Sequence, residues 1–111
     1  MIEQITPQSL KDLLDSDGQI DEQPPLLLDV REPWEQAICR IDGSELLPMR
    51  QVPGIAAELD QARPTVVICH HGIRSQQVAL FLQLQDFRRV INLRGGIAAW
   101  ASDVDPEMPT Y

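Results

Sequence analysis

Thr65-Val66-Val67-Ile68-Cys69-His70-His71-Gly72-Ile73-Arg74-Ser75 is the stretch whose reading decides the fold. Its first four residues, opened by Arg63-Pro64, are β-branched throughout and predict a strand. A helix of roughly twelve residues is expected to follow, from position 74 or 75 to about 86. Its apolar residues Val78, Ala79, Leu80, Phe81, Leu82 and Leu84 occupy more than one side, which predicts burial on more than one side. Residues 69–75 are then a loop between a strand end and a helix start.

Outward from that stretch, short apolar runs alternate with helical signals. On the N-terminal side, Thr6-Pro7-Gln8-Ser9-Leu10 reads as a helix start, with Leu10, Leu13 and Leu14 on one buried face and Asp17-Gly18 as the stop. Gln23-Pro24-Pro25 breaks the chain before Leu26-Leu27-Leu28-Asp29-Val30, a buried strand. Pro33-Trp34-Glu35-Gln36-Ala37 fits a helical turn, Asp42-Gly43-Ser44 a turn, and Glu45-Leu46-Leu47-Pro48 a short strand. Residues 49–62 are expected to be helical at their end, with Pro53-Gly54 interrupting them. On the C-terminal side, Val90-Ile91-Asn92-Leu93 is a strand, Gly95-Gly96 a turn and residues 97–101 a short helix. The tail from Asp103 to Tyr111 holds two prolines and is expected to be irregular. This alternation implies an α/β fold: a mostly parallel central sheet with helices on both faces, in one domain spanning residues 1–111.

Ligands of open α/β sheets bind beyond the carboxyl ends of the strands, where Cys69 falls. The first amides of the following helix lack intrahelical partners, and the helix dipole is positive there. Both favour an anion, and a thiolate is one. Arg74 adds a permanent positive charge, and residues 69–75 contain no Asp or Glu. The segment therefore reads as a cationic cradle with a sulfur nucleophile at its mouth. Gly72 suits a loop that must curl so that its amides point inward. His70 and His71 fit general bases, metal ligands or plain loop residues. Adjacent side chains on a curled loop rarely converge on one metal, and thiolate formation here does not require a base. Cys39 has no comparable surroundings and reads as structural. Trp34 and Trp100 read as core or edge packing.

Composition bounds the partners. The chain has 111 residues and a formal net charge of −8, which disfavours nucleic acid and anionic membrane surfaces. No apolar run approaches the ~20 residues of a membrane helix, and the N-terminus lacks the pattern of a secretory signal, so a cytoplasmic location is expected. Two cysteines make neither a disulfide framework nor a zinc set, and no cofactor is expected. No helix shows an exposed apolar face long enough to predict a dimer, so a monomer is expected.

Four segments together resemble a single-domain rhodanese, of the sulfurtransferase family. They are Leu28-Asp29-Val30-Arg31-Glu32, Ile41-Asp42-Gly43-Ser44, Val67-Ile68-Cys69-His70-His71-Gly72-Ile73-Arg74-Ser75 and Asn92-Leu93-Arg94-Gly95-Gly96-Ile97-Ala98-Ala99-Trp100. The likeness runs over residues 26–111, preceded by the N-terminal helix, and implies a rhodanese-like three-layer fold. It implies that Cys69 takes a sulfane sulfur from thiosulfate or a similar donor as a persulfide. A thiophilic acceptor, such as a thiol or a protein, then takes that sulfur. The backbone of His70, His71, Gly72, Ile73, Arg74 and Ser75 would hold the persulfide, with Asp29 and Arg31 as structural support. Where the family commonly has Gly-His-Ile, this chain has Cys39-Arg40-Ile41, which bears on packing and not on the chemistry. Two other functions compete. Cysteine-dependent phosphatases and some arsenate reductases share the fold, but place five residues between Cys and Arg where this chain has four. Non-catalytic members of the family, which act as interaction modules, usually lack the Cys.

Overall fold

A computed structural model describes residues 2–111. Five strands form one sheet in the order β1-β5-β4-β2-β3: β1 (Glu3–Ile5), β2 (Leu26–Asp29), β3 (Glu45–Leu46), β4 (Thr65–Ile68) and β5 (Val90–Leu93). Every pairing is parallel, so the expected mostly parallel sheet is here wholly so. The three central strands are buried at every position, as parallel strands covered on both faces must be. Leu26, Leu28, Val67 and Val90 supply one core. Leu27, Val66, Ile68, Ile91 and Leu93 supply the other, on the opposite face.

Helices α1 (Pro7–Asp15), α2 (Pro33–Ile38), α3 (Val52–Ile55), α4 (Ile73–Leu84) and α5 (Gly96–Asp103) cover these faces. The start of α1 is set as read from sequence: Thr6 Oγ1 accepts from Ser9 N–H at 3.1 Å, and Pro7 occupies the first turn. The packing of α4 is not. Ser75, Val78, Ala79 and Leu82 are buried against the sheet, whereas Leu80 is 50% and Leu84 72% exposed. The helix therefore packs on one side only, and its outward leucines form an exposed apolar stripe, in place of the burial on more than one side that the sequence predicts. Trp100 is in the core, but Trp34 is 61% exposed and meets the Tyr111 ring edge-to-face, with centroids 5.5 Å apart.

Two more expectations are corrected. Helical turns occupy Met49–Gln51, Val52–Ile55 and Ala56–Glu58, so the start of the 49–62 segment is helical and its end is not. Pro53 lies in the first turn of α3, where its missing N–H costs nothing, so it starts the helix. Strand β1 was not anticipated; it is three residues long and pairs on one edge only, with β5. No helix among the described residues is long and apolar enough to cross a membrane.

The topology creates the site. From β2 the chain moves to β3 on one side, and from β4 to β5 on the other. The crevice of such a sheet opens between the ends of β2 and β4, where Val30 N–H donates to Ile68 O at 2.9 Å. Cys69 continues one of these strands and Val30-Arg31 the other.

Candidate active site

Cys69 is 1% exposed, and its sulfur lies inside the turn that follows β4. Gly72 N–H donates to Sγ at 3.0 Å, and Ser75 Oγ lies 3.2 Å away. Gly72, at φ +94°, closes the curl, a conformation that residues with a Cβ rarely adopt. The loop is fastened from outside by the first turn of α5. Ile97 N–H donates to Cys69 O at 2.8 Å, and Ala98 N–H to His70 O at 3.0 Å. These carbonyls satisfy two orphan amides of α5 and anchor the loop to that helix. Gly96 makes the approach possible: a Cβ there would strike the carbonyl oxygens of both Cys69 and His70. The Gly95-Gly96 turn is thus also the seat of the loop.

A polar network lies beneath Ser75. Its hydroxyl donates to Asn92 Oδ1, and Asn92 Nδ2 donates to Gly72 O at 3.3 Å and to Gln4 Oε1 at 2.9 Å. The Gly72 carbonyl only accepts, so it fixes which way the amide faces. Asn92 is 3% exposed and stands alone as a polar residue in an apolar strand. That isolation was a signal in the sequence that went unread.

Asp29 and Arg31 form a two-point ion pair, Nε to Oδ1 at 2.9 Å and Nη2 to Oδ2 at 2.7 Å, with side chains 1% and 0% exposed. Burial opposes the Arg31 charge, yet the hydrogen bonds with Asp29 and Tyr111 raise its pKa above the ordinary value. Arg31 also donates to Cys39 O at 2.7 Å. Where the segment Cys39-Arg40-Ile41 departs from the family pattern, Cys39 and Ile41 are buried in the core and Arg40 is exposed. Removing either member of the pair would leave a buried charge uncompensated, at about 3–5 kcal/mol.

The cationic cradle requires correction. Arg74 does not stand free: Nη1 and Nη2 donate to Glu35 Oε1 and Oε2 at 2.7 and 2.8 Å. Glu35 comes from α2, where Oε1 also accepts from Glu32 N–H at 2.9 Å, the reciprocal bond of a capping box. Its spacing of three residues after Glu32 was legible as a helix-start signal, but its reach to the loop was not. The Arg74 hydrogen bonds, working against burial, lower the Glu35 pKa to about 2. Tyr111 Oη donates to Glu35 Oε2 at 2.6 Å and accepts from Arg31 Nη1 at 3.1 Å, so it joins the two ion pairs. The Tyr111 ring stacks on His70 at 4.1 Å, and His70 stacks on His71 at 4.0 Å. Burial and then repulsion from His71 lower the His70 pKa below its ordinary 6.5. A cavity of about 180 Å³ opens between the loop and the tail, with Cys39, His70, His71 and Tyr111 in its lining. Among the described residues, no group of three His, Cys, Asp or Glu side chains is placed to hold a metal ion.

The structure thus brings Gly72 and Ser75 to the Cys69 sulfur and ties Arg74 to Glu35, while His70 and His71 line the neighbouring cavity. Ile73 begins α4 and is 69% exposed. Comparison with known proteins gives the family. The model of the rhodanese-like domain matches residues 6–103, and the chain belongs to that family. A protein of Allochromatium vinosum named sulfurtransferase is 39% identical over 101 residues, covering 91% of this chain and 90% of that one. The rhodanese-like/PpiC domain-containing protein 12, chloroplastic, of Arabidopsis thaliana is 45% identical over 89 residues; the match covers 77% of this chain but only 30% of that longer protein. The crystal structure of SSP1007 from Staphylococcus saprophyticus superposes with a TM-score of 0.78 at 29% identity, covering 93% of this chain and 97% of that one.

Proposed function

We propose that this protein is a sulfurtransferase that carries one sulfane sulfur as a persulfide on Cys69. The observation that carries the reading is the nest itself: a buried cysteine sulfur 3.0 Å from an inward amide at a helix start. The Cys69 thiolate attacks the outer sulfur of thiosulfate. A new S–S bond forms, the old one breaks, and sulfite leaves with the electron pair. The terminal sulfur of the persulfide then bears the negative charge, and the backbone of residues 70–75 stabilises it. A nucleophilic acceptor takes that sulfur and returns Cys69 as thiolate. Cyanide serves in the assay and a small or protein-borne thiol in the cell. Burial of Cys69 favours reactants that present a single projecting sulfur atom. Two free cysteines fit a reducing, cytoplasmic setting. The relatives' names lend the same support, since one of similar length is called a sulfurtransferase.

The phosphatase reading is weaker on two counts. Four residues separate Cys69 from Arg74. The Arg74 guanidinium is also engaged at two points by Glu35 and so is not free to bind a phosphate. Thiocyanate formation from thiosulfate and cyanide is the test. Parallel double-reciprocal lines, and loss of turnover in Cys69→Ser, are expected. Hydrolysis of a phosphate monoester that Cys69→Ser abolishes would overturn the assignment.

A further inference from the structure

Asp29, Arg31, Glu35 and Arg74, the last of these on the Cys69 loop, are joined through Tyr111 into one cluster, and their two negative and two positive charges cancel. Burial, and then repulsion from His71, disfavours a charge on the His70 ring. The loop therefore meets its donor with backbone amides and an already paired guanidinium. This matters because donors of sulfane sulfur differ in charge. Thiosulfate is a dianion, so its attack by a thiolate gathers three negative charges. Methanethiosulfonate offers the same sulfane sulfur as a monoanion, with a sulfinate in place of sulfite as leaving group. An organic persulfide likewise carries a single charge on its reacting end.

We propose that Glu35 is a specificity-determining residue: by holding Arg74 in a two-point ion pair it withholds the loop's only guanidinium from the donor, and so disfavours dianionic donors relative to singly charged organic persulfides and thiosulfonates. The inference rests on the sulfur-transfer reading above and assigns its donor class. Coulomb energy scales with donor charge, so a change of one unit at the cluster acts twice as strongly on a dianion as on a monoanion.

The experiment compares kcat/KM for thiosulfate and for methanethiosulfonate, both with cyanide as acceptor. Glu35→Gln removes the charge that neutralises Arg74 and one of its two acceptors without changing side-chain size, and should raise the thiosulfate-to-methanethiosulfonate ratio about tenfold, mainly through the KM of thiosulfate. Arg74→Gln leaves Glu35 unpaired and should lower the ratio. A purely structural role for the pair would depress both donors together, and an unmoved ratio in both variants would overturn the inference. Sulfur uptake from both donors with an unchanged ratio would remove this inference alone, whereas uptake from neither would remove the sulfur-transfer reading as well.

Discussion

Glu35 and His70 belong to one bonded and stacked cluster, and acid acts on them in sequence. His70 has a folded pKa below its ordinary 6.5, because burial and His71 disfavour its charged form. The unfolded chain therefore takes up the proton first. The stability that neutral His70 contributes is fully present above about pH 6.5 and is lost as pH falls through the lowered folded value. Glu35 is depressed from 4.5 to about 2 by its bonds with Arg74. Its contribution is present above pH 4.5 and is lost as pH falls towards 2. Urea midpoints measured across this range should decline in two stages. His70→Gln should flatten the first and Glu35→Gln should shrink the second. A wild-type midpoint that rises between pH 7 and 5 would contradict the assignment for His70.

The strand β4, its loop and the start of α4 were legible because their signals are local: β-branched residues, then a cysteine, a glycine and a helix start. The outer face of α4 was not, because apolar side chains on a helix do not say whether anything covers them. Leu82 has a relative exposure of 0%, while Leu84 on the same helix is 72% exposed. Leu82→Ala should therefore cost about 2–5 kcal/mol. Leu84→Ala should change stability by no more than about 0.5 kcal/mol. Urea unfolding of the two variants separates them, and equal losses would mean that the outer face is packed. Strand β1 escaped for a related reason. Glu3-Gln4-Ile5 has no strand pattern of its own, and it is a strand because β5 supplies the partner.

At the scale of the molecule, the site joins residues that lie far apart in the chain. Tyr111 bonds Glu35 across 76 positions, and Asn92 bonds Gln4 across 88. Cys69, Arg74 and Ser75 were legible because they share one stretch. Glu35 and Tyr111 were not, because only the fold brings α2 and the tail to that stretch. The prolines of the tail predicted irregular backbone, and the backbone is irregular, but its last side chain closes the cluster. Tyr111→Phe keeps the ring on His70 and removes the bonds to Glu35 and Arg31, at about 1–3 kcal/mol. Thermal or urea unfolding should show that loss, and unchanged stability would mean that the tail does not clasp the site. The central claim concerns one atom on one residue, and the intact mass of the protein tests it most directly. After reduction and exposure to thiosulfate or methanethiosulfonate, wild type should gain the mass of a single sulfur atom. Dithiothreitol should remove that atom, and Cys69→Ser should never acquire it. No gain from either donor, or the same gain in Cys69→Ser, would contradict the account.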